Sequence, residues 1–115
     1  MIDPTTSVHD SASCKKNTVN NLSKMMADLD IGVIVCPSAA ISMTQHSQFN
    51  SPIHNSIAPV MELIDQGVEV LLGVDNIHDL FMPLVDGDLY FESRLLMESI
   101  RCYDLDLISD LVTKR

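Results

Sequence analysis

Two short apolar runs, and the segments that precede each of them, predict an α/β fold with parallel strands. Ile31-Gly32-Val33-Ile34-Val35-Cys36 and Val68-Glu69-Val70-Leu71-Leu72-Gly73 are too short for typical helices and are dominated by Val, Ile and Leu. That is the pattern of strands buried in a parallel sheet. Each run follows a segment whose apolar residues recur at helical spacing, so helix and strand alternate along the chain. The second run stops at Gly73 and presents Asp75. In parallel α/β folds the chemistry sits at the carboxyl ends of the strands, which makes Asp75 the first candidate functional residue.

A chain of 115 residues holds one small domain around one core. It is 46% hydrophobic and 20% charged, a globular balance. Aromatic residues make up only 4%, so the core must be aliphatic and rich in Met. The formal net charge of -9 argues against nucleic acid and against an anionic membrane surface, both of which select clustered Lys and Arg. The cysteines, Cys14, Cys36 and Cys102, are odd in number and form no C-x-x-C pair, so neither a zinc knuckle nor a redox motif is indicated. Cys36, inside an apolar run, reads as a small buried hydrophobe. The N-terminus lacks a basic segment followed by an apolar one, and no apolar run approaches the roughly 20 residues that span a bilayer. A cytoplasmic protein of a reducing compartment is expected.

Taken in order, Thr5-Thr6-Ser7-Val8 reads as a weak extended stub ending at His9-Asp10, and Ser11 to Lys16 as a loop. Asn17 caps a helix to Leu29, with Val19, Leu22, Met26 and Leu29 on one face. The first apolar strand follows and is stopped by Pro37. Ser38 to Asn55 has no sustained period and reads as a long loop, of a length that compact domains reserve for functional or disordered segments. Ser56 caps the next helix, with Ile57, Val60, Met61 and Ile64 inward, Pro59 in its first turn and Gly67 just past its end. After the second strand, Asp75 to Gly87 is irregular. Asp88 then caps a helix carrying Leu89, Leu96 and Ile100, and Asp104 caps a last one carrying Leu105, Ile108, Leu111 and Val112.

His9, Cys36-Pro37 and Asp75 thus end three successive strands and are expected on one face. A His and an Asp placed so share a metal or act as acid and base. The plainer readings are a solvated turn for Asp75-Asn76 and a polar loop residue for His9. His46 and His54 fall in the polar loop, and His78 reads as a surface residue. Asp104, Asp106 and Asp110 lack the glycine and glutamate of a calcium loop and read as a cap and a wet helix face. Glu92, Arg94 and Glu98 are spaced for pairing on a helix surface.

Asp30-Ile31-Gly32-Val33-Ile34-Val35-Cys36-Pro37-Ser38-Ala39-Ala40-Ile41 resembles the seventh-strand region of the metal-dependent amidohydrolases, nearest to their cytosine deaminase-like members. Pro59 to Val70 is similar to their seventh helix running into the eighth strand. Gly73-Val74-Asp75-Asn76-Ile77-His78-Asp79-Leu80-Phe81-Met82-Pro83 resembles the Gly-x-Asp-Asn/Asp-x-x-Asp-x-x-x-Pro signature that follows that strand. Ser7-Val8-His9 is similar to the end of the sixth strand. The resemblance implies a (β/α)8 TIM barrel of which this chain, 1–115, is an incomplete segment from a β6 stub to β8, with 38–55 and 75–87 as active-face loops. It implies a divalent metal, Zn or Fe, with Asp75 as metal ligand and proton carrier, His9 as the residue that orients the attacking hydroxide, and Asn76 and Asp79 in the substrate pocket. The implied reaction is hydrolysis of a C–N bond in a cyclic amidine or amide such as a pyrimidine base.

The departures are as informative. The family's His-x-His pair and its strand-five His have no counterpart here, and the family barrel needs roughly 250 residues. A catalytic metal takes about three protein ligands, more than this chain shows, so the chain is expected to be inactive alone and short of ligands to hold a metal. The alternatives are a non-catalytic remnant, and a small acidic α/β module that binds a divalent ion and acts through protein association. An open part of a barrel leaves strand edges bare, which predicts self-association or docking onto a complementary barrel fragment.

Overall fold

The computed structural model describes residues 8–43 and 57–113, with side chains from residue 14 onward in the first stretch. The fold is α/β. Among the described residues five helices accompany one two-stranded parallel sheet, in the order α1 (Val8–Asp28), β1 (Val33–Val35), α2 (Pro37–Ser42), α3 (Val60–Asp65), β2 (Val70–Leu72), α4 (Leu89–Ile100) and α5 (Leu105–Thr113).

Val33 pairs with Val70, Ile34 with Leu71 and Val35 with Leu72. The ladder is bracketed by Val33 N–H donating to the Glu69 carbonyl at 2.8 Å and Gly73 N–H donating to the Val35 carbonyl at 2.9 Å. Side chains alternate between the two faces of the sheet. Val35, Val70 and Leu72 are buried with Val60, Leu63, Val68, Leu96, Ile108 and Leu111, which are drawn from α3, the turn after it, α4 and α5. The helices therefore cover one face. The opposite face carries Ile34, which is 67% exposed, and half-buried Leu71. A parallel sheet is ordinarily covered on both faces; among the described residues this one is covered on one.

The helix ends explain how so short a chain turns so sharply. After α3, Gly67 takes φ +85°, its N–H donates to the Ile64 carbonyl, and Val68 N–H reaches back to the Leu63 carbonyl. This pair of backward bonds satisfies carbonyls that a helix end otherwise leaves unpaired. The same pair closes α1, from Asp30 to Ala27 and from Ile31 to Met26, with Asp30 at φ 55° in place of glycine. At the start of α4 the Asp88 carboxyl accepts from the N–H groups of Tyr90 and Phe91, and before α5 the Asp104 carboxyl accepts from those of Asp106 and Leu107. Both caps are those the sequence predicts.

Several expectations need correction. Val8, His9 and Asp10 open α1 and are not the end of a strand; Thr5 to Ser7 lie outside the described residues. Helix α1 begins well before Asn17, which sits in its middle. Its packed face carries Ser23 and Ala27 with Val19 and Met26, while Leu22 and Leu29 face solvent. Two apolar stripes compete on this helix, and contact with α3 selects the one with the smaller side chains. The expected loop 38–55 opens as helix α2, because Pro37 is pre-set for a first helical position as well as for ending a strand. Helix α3 starts at Val60 with Pro59 as its cap position, not within its first turn. Leu105, expected inward, is 70% exposed.

Candidate functional site

The carboxyl ends of β1 and β2 bring together Cys36, Ser38, Asp75 and, from α4, Glu92. Cys36 follows β1 directly and is half-buried. The Asp75 N–H donates a hydrogen bond to its sulfur, which favours the thiolate, but the opposing effects prevail. Burial chiefly, then the negative charges of Asp75 and Glu92, push the Cys36 thiol above its ordinary 9.0. Gly73 makes this closeness possible. A methyl group there would lie 2.7 Å from Ile34 Cγ2 and 3.3 Å from Cys36 Sγ, so only glycine lets the two strand ends approach on the bare face.

Asp75 is exposed and takes φ 62°, a left-handed backbone that costs a non-glycine residue of order 1–3 kcal/mol. Unlike Asp30, it closes no helix. Directly after it, Asn76 to Asp79 begin a loop that is tied mainly to itself. Asn76 Nδ2 donates to Asp79 Oδ2 at 2.7 Å, and Asp79 Oδ1 accepts from the N–H groups of Phe81 at 2.9 Å and Met82 at 2.6 Å. The Met82 N–H above all, with help from Asn76 and Phe81, holds the Asp79 carboxyl below its ordinary 3.8. His78, at φ 48°, straps the loop from within: its N–H donates to the Val85 carbonyl and its Nδ1 to the Pro83 carbonyl at 3.0 Å. Because a carbonyl only accepts, Nδ1 carries the proton in this arrangement. Met82 and Val85 then seat the loop on Ala39 of α2, with Cys36 and Val74 alongside.

Glu92 is the functional-type residue that sequence reasoning misplaces. Expected on a helix surface beside Arg94 and Glu98, it is 2% exposed and accepts from both Ser38 N–H, at 3.0 Å, and Ser38 Oγ. The signal was present: Glu92 lies one turn before Leu96 on the face that Leu96 and Ile100 mark as inward. It also stands in the first turn of α4, where free N–H groups favour a carboxyl.

Of the predicted site residues, Asp75 therefore stands at a strand end as expected. Asn76 and Asp79 bond to each other, and Asp79 to its own loop backbone. His9 stands in the opening turn of α1, not at a strand end, and its side chain, like His46 and His54, lies outside the described residues. Among the described residues no group of three or more His, Cys, Asp or Glu side chains converges to hold a metal. Asp75 with Cys36 is not a ligand set of the size a catalytic metal requires. Also among the described residues, no helix is long and apolar enough to cross a membrane. Comparison of the chain with family models, with curated proteins and with solved structures found no match.

Proposed function

We propose that this chain is the closing portion of a (β/α)8 barrel of the metal-dependent amidohydrolase type, cytosine deaminase-like, that supplies Asp75 to a site completed by other strands. The observation that supports it is a parallel sheet bare on one face among the described residues, with a strained, exposed aspartate at the carboxyl end of its second strand. In this reading the bare face, Ile34, Leu71 and the gap at Gly73, looks into the barrel, and Asp75 stands at its mouth. The substrate class is a cyclic amidine or amide such as a pyrimidine base. In this reading the chain is inactive alone, and Asp75 contributes one coordination position or a proton-accepting carboxylate to the completed site.

A second reading, a non-catalytic remnant acting through protein association, is favoured by Asn76 and Asp79. Their side chains are spent on each other and on loop backbone where the amidohydrolase resemblance assigns them to substrate. One experiment separates the two. The purified chain is assayed for ammonia release from cytosine with added Zn2+ or Fe2+, alone and after co-expression with a barrel portion that carries the His-x-His pair. Release only from the mixture, abolished by Asp75→Ala, supports the catalytic reading. Release that survives Asp75→Ala, or none from a mixture that demonstrably assembles, favours the remnant.

A further inference from the structure

We propose that the loop between β2 and α4 is a docking surface for a basic amphipathic segment of another polypeptide. The bond from His78 N–H to the Val85 carbonyl closes residues 78–85 into a loop, on which Leu80, Phe81 and Leu84 stand 88%, 75% and 85% exposed. The loop returns to its own start, where Ile77 Cδ1 lies 3.0 Å from the place a side chain on Gly87 would begin. Tyr90 and Phe91 follow in the first turn of α4, 73% and 49% exposed. Apolar residues exposed singly are ordinary on a protein surface. In this loop large ones share one short, self-closed stretch, and aromatic side chains are the anchors that interfaces favour.

The charge that names the occupant sits among these side chains. Asp79 Oδ1 accepts from the Phe81 N–H at 2.9 Å, and Asp88 Oδ1 from those of Tyr90 at 2.9 Å and Phe91 at 3.4 Å, so a carboxylate stands beside the backbone of each aromatic residue. Asp86, exposed between them in the sequence, accepts from the Asp88 N–H. These bonds use oxygen lone pairs and leave the negative charge in place. From Met25 to Ser93 the sequence holds no Lys or Arg, and Arg94, a turn past Tyr90, is the first. A second copy of the loop is repelled by the same carboxylates, and so is an anionic lipid surface. Lys and Arg side chains instead meet complementary charge and the faces of Phe81, Tyr90 and Phe91. The apolar stripe of an amphipathic helix then covers Leu80 and Leu84. The inference stands on this surface and does not need the catalytic reading above.

The test uses the full chain and a labelled synthetic helical peptide of leucines and lysines, followed by fluorescence anisotropy. Saturable binding is expected, weakened about tenfold or more by Leu80→Ser with Phe81→Ser, which leaves the Phe81 N–H in place. Asp86→Ser with Asp88→Ser should weaken it similarly, since the hydroxyl oxygens still accept the turn and cap bonds while the charge is gone. Asp65→Asn with Glu69→Gln removes the same charge from exposed positions outside the loop and should leave the affinity unchanged. Wild-type protein should not bind the same peptide with glutamates for lysines, a result that depends on no variant folding. Equal loss from the Asp65 and Glu69 pair overturns the inference, since net charge alone would then hold the peptide. Failure of the lysine peptide to bind, or binding of the glutamate one, overturns it as well. So does a dimer in sedimentation that Lys15→Gln with Lys16→Gln dissolves, which makes the occupant a second copy. Tighter binding to phosphatidylcholine vesicles than to the peptide also overturns it, by making the occupant a lipid surface. None of these results touches the ammonia-release assay or the catalytic reading it tests.

Discussion

Asp75 follows β2, exposed and with φ 62°, and its neighbour Cys36 reports on its charge. The Asp75 charge helps to hold the Cys36 thiol above 9.0. Replacing Asp75 by Asn keeps the backbone N–H that donates to the sulfur and removes that charge. With Cys14 and Cys102 changed to Ser, the Asp75→Asn protein should therefore alkylate at Cys36 faster at pH 8 than its parent, because the thiolate is the reacting species. An unchanged rate would place the carboxyl too far away to serve the strand end. Asp79 gives the opposite pH signature. Its folded-state carboxyl titrates below the ordinary 3.8, so its contribution to stability is complete above that value and is lost as pH falls through the lower folded value. An NMR titration should show the Phe81 and Met82 amide shifts moving together with the Asp79 carboxyl below pH 3.8, and not moving in Asp79→Asn. At this scale the sequence was legible where a residue's role is local: the Asp88 and Asp104 caps follow from position in a pattern. The Asn76–Asp79 pairing was not, because the same carboxyl serves loop or ligand according to which N–H groups the loop turns toward it.

Helix α2 is tied to α4, distant in the chain, by two hydrogen bonds between one pair of residues. Ser38, in its first turn, gives both N–H and Oγ–H to Glu92 of α4 inside a buried environment. Hydrogen bonds to a charged or potentially charged group contribute about 1.5–3 kcal/mol, and a buried donor left unpaired costs about 1–3 kcal/mol. Glu92→Ala orphans two donors and should lower stability by about 2–4 kcal/mol on those figures. Ser38→Ala keeps the N–H bond and should cost less. Urea unfolding of both singles and the double mutant should return a coupling energy of about 1 kcal/mol or more; additivity would show the pair to be incidental. The strands and the two C-terminal helices were legible because short β-branched runs and capped amphipathic segments carry their own signals. Helix α1 was not legible before Asn17, since His9 to Lys16 hold few strong helix formers and no apolar stripe. Nor was α2, where six residues opened by a proline give a period too short to read.

The molecule as a whole presents more apolar surface than its sheet can use alone. Ile34 on the bare face, Leu22 and Met25 on α1, Leu29 just past its end, and Leu80 and Leu84 in the loop after β2, at 88% and 85% exposed, all face outward. An unpaired parallel edge is a template for another strand. A packed core of Val35, Val60, Leu96 and their neighbours still holds the two strands together, so the edge should be open while the ladder beside it is closed. Amide hydrogen exchange separates these states residue by residue. Val33 and Gly73 amides, each bonded across the ladder, should exchange slowly, and the Ile34 amide between β1's two inward-bonding residues should exchange much faster. The contrast must hold at high dilution, where association is lost. Slow exchange at Ile34 that speeds up on dilution would mean that copies of the chain cover the edge, and slow exchange independent of concentration would mean that the chain covers its own. Fast exchange at Ile34 at every dilution is the behaviour of an edge that neither the chain nor its copies cover.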